Sequence, residues 1–304
     1  MDMQDRTRLT ADLKPFHTPV LLNEILAYFK QTGCKVFVDG TTGEGGHTLG
    51  FLKNTDAHVV CFDADSEIQQ RAKERLQDYA ERVTFVHSNF RYILKELAKA
   101  SYTHVDAILL DLGISMAHLK DINRGITFAT DQPLDMRLDT TEGLPLSAML
   151  PQMTESEIAD VIFKYGEERA SRRIARAIVY YMDKKPITTT GELAGLIEKS
   201  IGRKGKIHPA TRTFQAFRIF INQELTSLEL AIPQCLDCLA PGGILAVISY
   251  HSLEDRIVKH MFKDAKGDEF EVLTKKPIIP TEQETESNRA ARSAKLRIIR
   301  RVCG

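Results

Sequence analysis

The 304-residue chain carries no surplus charge of either sign: 41 Lys and Arg balance 41 Asp and Glu, for a formal net charge of zero at pH 7. That balance argues against a uniformly basic coat for nucleic acid while leaving room for local patches. No apolar run approaches the roughly 18 residues a membrane span needs, so no membrane partner is expected. The opening stretch MDMQDRTRLTADLKP is polar and lacks the apolar segment of a secretion signal. Cysteine is scarce. The five present are an odd number at no framework spacing, which excludes a disulfide scaffold and fits a reducing, cytoplasmic compartment. Internal repeats are absent as well. What remains is ordinary globular composition, 43% hydrophobic and 27% charged, which excludes the disordered and collagen-like classes. The length suits one large domain or two of usual size.

Apolar runs at residues 35–39 (KVFVD), 58–63 (HVVCFD), 83–88 (VTFVHS) and 105–111 (VDAILLD) are hydrophobic throughout, as buried parallel strands are. Mixed stretches between them, such as residues 66–79, suit crossover helices. The repetition predicts a doubly wound, Rossmann-like α/β sheet. The pattern breaks around Gly113. Residues 120–150 are interrupted by Gly125, Pro133, Gly143 and Pro145; then Ile158, Val161, Ile162 and Tyr165 recur at helical spacing, and Ile174, Ile178 and Tyr181 continue it. A helix beginning near Pro209 carries Phe214, Phe217, Ile221, Leu225 and Leu228 on one stripe. A strand returns at residues 244–249 (ILAVIS), followed by a helix and candidate strands at 270–273 and 294–302, with an extended polar loop at 280–293. The expected division is a sheet domain built from residues 1–120 and 211–304, split by an inserted all-helical domain at 121–210.

The first strand leads into residues 39–48 (DGTTGEGGHT), where closely spaced glycines let the backbone turn sharply and approach a ligand. The spacing is not G-x-G-x-x-G, which disfavours a bound pyrophosphate and with it a nicotinamide oxidoreductase. Asp63 ends the second strand, twenty residues beyond Gly43, where a carboxylate accepts both hydroxyls of a ribose. Either Asp63 or Asp65 also suits the N-cap of the next helix. Phe90 follows the third strand and can stack on a purine or sit in the core. Asp111 closes the fourth strand at the carboxyl edge, where open α/β sheets bind ligands.

Together these features resemble a class I S-adenosylmethionine (AdoMet)-dependent methyltransferase, and a longer series of motifs narrows the likeness. Residues 17–22 (HTPVLL), 39–48, 109–115 (LLDLGIS), 133–137 (PLDMR), 165–169 (YGEER), 208–214 (HPATRTF), 241–243 (PGG) and 251–256 (HSLEDR), in this order, are similar to the bacterial MraW/RsmH family, which methylates cytosine N4 of small-subunit rRNA. The likeness runs from about His17 to Val302. It implies AdoMet as cofactor and 16S rRNA as partner, in an assembled or nearly assembled small subunit, with the decoding-region P-site cytosine as target. Monomer and homodimer both remain open. The family's cofactor residues fall on Gly45, Gly46, His47, Asp63, Phe90 and Asp111. Its Ser-Ser-Pro-Gln is here Ser115-Met116-Ala117-His118, so His118 stands where a cofactor-contacting Gln is expected. An imidazole offers one hydrogen bond there, but not as an amide does.

Methyl transfer from a sulfonium is an in-line displacement that needs neither metal nor covalent intermediate, so the protein chiefly orients and places charge. The cytosine N4 lone pair is conjugated into the ring; acceptors aimed at its N–H groups localise it and take the proton afterwards. Asp111 is the first catalytic candidate as well as a cofactor ligand. Asp135 is the second, with Arg137 as a base or phosphate contact, and the two equally suit a local ion pair holding a long loop. The Asp/Asn-Pro-Pro-aromatic motif of many amine methyltransferases is missing, which counts against a DNA amine methyltransferase. No cysteine follows a proline, which counts against carbon-5 methylation. Cys235 and Cys238 lack the second ligand pair of a zinc site. Ser252 and Asp255 suit a helix cap better than a hydrolase triad, whose members converge from separate segments. His251 leaves the carboxyl end of a strand and can face the pocket. Outside the enzymes, the alternative is a non-catalytic AdoMet- or RNA-binding assembly factor.

Basic residues cluster despite the neutral total. Arg203, Lys204, Lys206, Arg212 and Arg218 fall between residues 200 and 222, and Arg289, Arg292, Lys295, Arg297, Arg300 and Arg301 between 289 and 301, with no acid in either stretch. Such stripes suit phosphate contacts.

Overall fold

The computed structural model describes residues 18–303 except 116, 119, 120, 122, 204 and 206, so His17, Met116, Lys204 and Lys206 of the motifs above lie outside the described residues. Seven strands form one sheet: β1 (Val36–Asp39), β2 (His58–Asp63), β3 (Val83–His87), β4 (Val105–Asp111), β5 (Leu239–Ser249), β6 (Phe270–Val272) and β7 (Lys295–Arg301). Their order is β3-β2-β1-β4-β5-β7-β6. The first five run parallel, and β7 is antiparallel to both β5 and β6. The expected Rossmann-like sheet is therefore present. Its order reverses between β1 and β4, the switch point at which such sheets open a crevice at their carboxyl ends.

Alternation along the strands fills two apolar layers. Phe37, Val59, Ala107, Leu109 and Ala246 pack on one face against the helices Leu22–Phe29 and Gly46–Asn54. Val38, Val60, Ile108, Leu110 and Leu245 pack on the other, against the helices Ile93–Lys99, Glu224–Asp237 and Ser252–Ala265. A third cluster, from Leu134 to Phe217, is enclosed by the helices Leu146–Met149, Glu155–Gly166, Ser171–Met182, Thr190–Ile201 and Thr211–Ile221. Thr154 with Glu157, and Thr189 with Glu192, form capping boxes that satisfy the first N–H groups of two of these helices. Because Phe214 and Phe217 belong to it, the helical unit's core continues beyond residue 210.

Four local expectations are corrected. The single stripe expected after Pro209 is two helices: Thr211–Ile221 ends, Gln223 turns left-handed (φ 49°), and Glu224–Asp237 begins. That break sends Phe214 and Phe217 into the helical unit but Leu228 into the sheet's second layer. Strand β5 starts at Leu239, ahead of residue 244, because Pro241–Gly243 is an irregularity inside it; pairing with β4 jumps from Val105↔Leu239 to Ala107↔Ile244. A Cβ on Gly243 would stand 2.8 Å from the Ala240 carbonyl oxygen, so the irregularity requires glycine. The expected loop at 280–293 is a helix (Glu282–Ser287) followed by a 3-10 turn (Arg289–Ser293). It is ordered by the chain's other end: Glu284 Oε1 accepts from the Leu21 N–H at 2.7 Å, and Asn288 Nδ2 donates to the Thr18 carbonyl at 2.9 Å. Finally, the cap of Ser252–Ala265 is His251, whose N–H reaches the Glu254 carboxylate at 3.2 Å while its Nδ1 faces the Glu254 N–H, in place of the expected Ser252 and Asp255.

Candidate functional site

The carboxyl ends of β1, β2, β4 and β5 open on a cleft of about 520 Å³, within the usual size of a small-molecule site. Of the residues singled out in the sequence, Gly46, His47, Asp63, Phe90, Asp111 and His118 line it; Gly45 and Asp135 do not. A second lobe of similar volume shares Phe90, Leu112 and Glu254 with the first and extends to Arg137, Asn222 and Gln223.

The glycine loop is shaped for an anion. Gly43 and Gly45 both have positive φ (53° and 77°), and the Gly45 N–H turns back to the Thr42 carbonyl at 2.8 Å. Gly45 then caps the helix Gly46–Asn54 with no side-chain hydrogen bond, so the first backbone N–H groups of that helix have no side-chain acceptor. Such an N-terminus attracts a carboxylate or phosphate. A Cβ on Gly45 would approach Leu76 Cδ1 to 3.1 Å, so this glycine is packed against the side chains of Leu76 and Ala72.

Asp63 couples this loop to β2. Its Oδ2 accepts from the Gly43 N–H and its Oδ1 from the Asp65 N–H, both at 2.8 Å. Each oxygen keeps a second lone pair, so both can still accept from a vicinal diol. Burial pushes the Asp63 carboxyl up, against the two backbone hydrogen bonds. The N-cap function falls to Asp65, whose Oδ1 accepts from the N–H groups of Glu67 and Ile68.

His118 is a brace. The Ser115 N–H donates to its Nδ1 at 3.2 Å, which leaves Nε2 as the donor to Asp65 Oδ2 at 3.1 Å. The same Asp65 oxygen takes Arg124 at 2.9 Å. Burial alone would raise the Asp65 carboxyl; the His118 hydrogen bond and the Arg124 charge outweigh it and hold the group below its ordinary value. Arg124, only 4% exposed, also reaches Glu67, Asp121 and the Leu138 carbonyl. It thereby fixes the loop that carries Ile126, Thr127 and Phe128 over the cleft.

At the end of β4, Asp111 is held from several sides. Its N–H donates to Thr41 Oγ1 at 2.6 Å, Tyr250 donates its phenol proton to Oδ1 at 2.7 Å, and His47 Nδ1 stands 3.4 Å from Oδ2. Burial, with the Asp111 carboxylate beside it, raises Tyr250 well above the ordinary phenol range, so the proton stays on the phenol. The other nitrogen of His47 bonds the Val20 carbonyl at 2.9 Å, and burial lowers its proton affinity. The His47 side chain thus joins the segment before the first helix to the site.

Several expectations about charged groups change. Arg137 grips both oxygens of Asp135 (2.7 and 2.8 Å) and turns its remaining nitrogen to the carbonyls of Thr140, Glu142 and Gly143. The pair is the loop-holding ion pair. Among the described residues, part of each basic stripe is paired with acids that lie elsewhere in the chain. Arg218 is bidentate to Glu224, Arg212 stands 3.9 Å from Glu168, Arg297 and Lys295 share Asp255, and Arg300 meets Glu271. Glu224, His251 and Glu254 could hold a cation between them, yet the Arg218 guanidinium already lies against Glu224. Sequence reasoning missed Tyr250 and Arg124, and gave Glu254, inside the motif at 251–256, no role of its own.

The chain matches the MraW methylase family over residues 14–302. It is 43% identical over 290 residues to a protein of Sorangium cellulosum named ribosomal RNA small subunit methyltransferase H, covering 95% of this chain and 91% of that one. Proteins of the same name from Sulfurihydrogenibium sp. (44%, covering 94% and 99%) and Leptospira interrogans (45%, covering 95% and 90%) are similarly close. No helix among the described residues is long and apolar enough to cross a membrane. With the sheet order, the cleft at its switch point and these matches in hand, the chain belongs to the MraW methylase family.

Proposed function

We propose that this protein transfers a methyl group from AdoMet to the exocyclic N4 of a cytosine in 16S rRNA, at the P site of the decoding region, in the cytoplasm and on a small subunit at or near full assembly. One observation carries the reading: a ribose acceptor (Asp63), an uncapped helix N-terminus (Gly46) and a backed carboxylate (Asp111) converge on one cleft at the switch point of the sheet. The names borne by the relatives support the substrate class.

The donor set fits AdoMet piece by piece. Asp63 holds the ribose hydroxyls, the N–H groups at Gly46 and His47 receive the carboxylate, and Phe90 flanks the purine. His118 keeps Asp65, and through it the turn after β2, in place. AdoMet supplies an activated methyl on a sulfonium, so the chain's own work is orientation and handling of the amine's proton. Asp111, oriented by Tyr250, is the acceptor assigned to that amine, and it also lies within the cofactor lobe. Asp135 is assigned no chemical role, since Arg137 occupies both its oxygens.

Calorimetry on Asp63→Ala tests the cofactor assignment. AdoMet affinity is expected to fall by about 2–3 kcal/mol, the scale of hydrogen bonds to a charged group, with the sheet still folded. Wild-type affinity in this variant contradicts the assignment.

A further inference from the structure

One surface of the helical unit has no part in the cleft. Arg172, Arg173 and Arg176 lie on the exposed side of the helix Ser171–Met182, opposite the buried Ile174, Ala175 and Ile178, and Arg169 sits exposed in the turn before it. Arg172, Arg176, Tyr180 and Lys184 follow one another at intervals of four, which aligns them along one side. Tyr180 is 63% exposed, and the Lys184 ammonium lies 4.0 Å from the centre of its ring. Among the described residues, Arg169 and Arg172 have no ion-pair partner. Arg176 stands 3.6 Å from Glu155 with 77% of its side chain exposed. Arg173 donates to the Ser200 carbonyl, which brings the exposed Arg203 loop close by.

Local stability does not account for this arrangement. Like charges four apart on a helix destabilise it, and arginines in a first turn oppose the helix dipole. The first turn of this helix holds no acid. The basic line also begins at the rim of the cleft. Glu167, two residues before Arg169, bonds Arg256 and Ser252, the latter directly after the cleft residue His251. Glu168 meets Arg212, next to the cleft residue Thr211.

We infer that this line is a docking track for one strand of the RNA substrate, with phosphates on Arg169, Arg172, Arg176 and Lys184 and a nucleotide ring against Tyr180. The inference rests on the proposed function for the identity of the RNA. From Arg172 to Lys184 the line spans about 18 Å at 1.5 Å per residue. At a rise of roughly 3.4 Å per nucleotide in a stacked strand, that accommodates about five phosphates. Exposed aromatic rings among cations suit nucleotides better than simple anions, because each base offers a face for stacking.

The test compares wild type with Arg169→Ala/Arg172→Ala/Arg176→Ala, sparing Arg173 because of its backbone contact. The probes are a 16S rRNA transcript and the intact small subunit, with AdoMet affinity and thermal unfolding as controls. Affinity for the transcript is expected to fall about ten-fold or more, and the log–log salt slope to become shallower by about two units for three lost phosphate contacts. The corresponding triple Arg→Lys variant is expected to keep the wild-type slope. Tyr180→Ala is expected to weaken binding without changing the slope. An alanine variant that unfolds like wild type and binds the transcript with unchanged affinity and slope overturns the inference. So does a loss confined to the intact subunit, which assigns the surface to a ribosomal protein. Wild-type protein that binds the transcript through these arginines yet transfers no methyl group refutes the proposed function and leaves the track standing.

Discussion

Tyr250 Oη lies 2.7 Å from Asp111 Oδ1, a hydrogen bond that joins the residue just beyond β5 to the last residue of β4 across the mouth of the cleft. It holds a carboxylate at the sheet's carboxyl edge with a donor that keeps its proton, because burial raises the phenol. Tyr250→Phe removes that donor without changing the ring. Turnover is expected to fall about ten-fold, the scale of one hydrogen bond to a charged group, with AdoMet affinity nearly unchanged. Asp111→Asn is expected to cost more in turnover than in AdoMet affinity. Equal losses in both would make Asp111 a cofactor ligand alone.

Asp39 supplies a pH test of the same neighbourhood. Its carboxyl is fully buried at the end of β1, accepts from Thr48 Oγ1 at 2.7 Å, and is pushed by burial up to about 6. A carboxyl raised in the folded state contributes stability below its unfolded value near 4 and loses it as pH rises through about 6. Asp39→Asn removes that titration. Relative to wild type, the variant should gain about 2 kcal/mol between pH 4.5 and pH 7.5. Denaturant melts at the two pH values measure it, and a constant difference between the proteins would contradict the burial account.

The brace around Arg124 predicts a loss of stability. Arg124→Met leaves Glu67, Asp121 and the Leu138 carbonyl without their common donor and Asp65 Oδ2 with His118 alone. Removing one member of a buried ionic network costs about 3 kcal/mol. Urea melts should show that loss, and AdoMet affinity should fall with it because the loop lining the cleft loses its anchor. Wild-type stability would mean the network is neutral.

Much of the sheet was legible because its strands are buried on both faces and read as unbroken apolar runs. Asp63 and Asp111 were legible for a related reason, since each is the acid that closes such a run. Tyr250 was not, because one aromatic after a strand has no periodicity to mark it. Arg124 sits in a loop where its acids lie at 65, 67 and 121, a set that only the fold assembles. The acid partners inside the basic stripes were hidden for the same reason. A sequence window shows neighbours along the chain, whereas Arg297 and Arg300 find Asp255 and Glu271 across space. The break at Gln223 was hidden because a left-handed glutamine carries none of the signal that a glycine would.

Which atom receives the methyl group decides the proposed function, and nucleoside mass spectrometry reads that directly. Purified protein is incubated with AdoMet and small subunits lacking the modification, and the 16S rRNA is then digested and its methylated nucleosides identified and mapped. N4-methylcytidine is expected at one decoding-region position, with none formed by Asp111→Asn at matched AdoMet occupancy. A product methylated on carbon 5 or only on the ribose, or no product from protein that binds both AdoMet and the subunit, would contradict the proposed function.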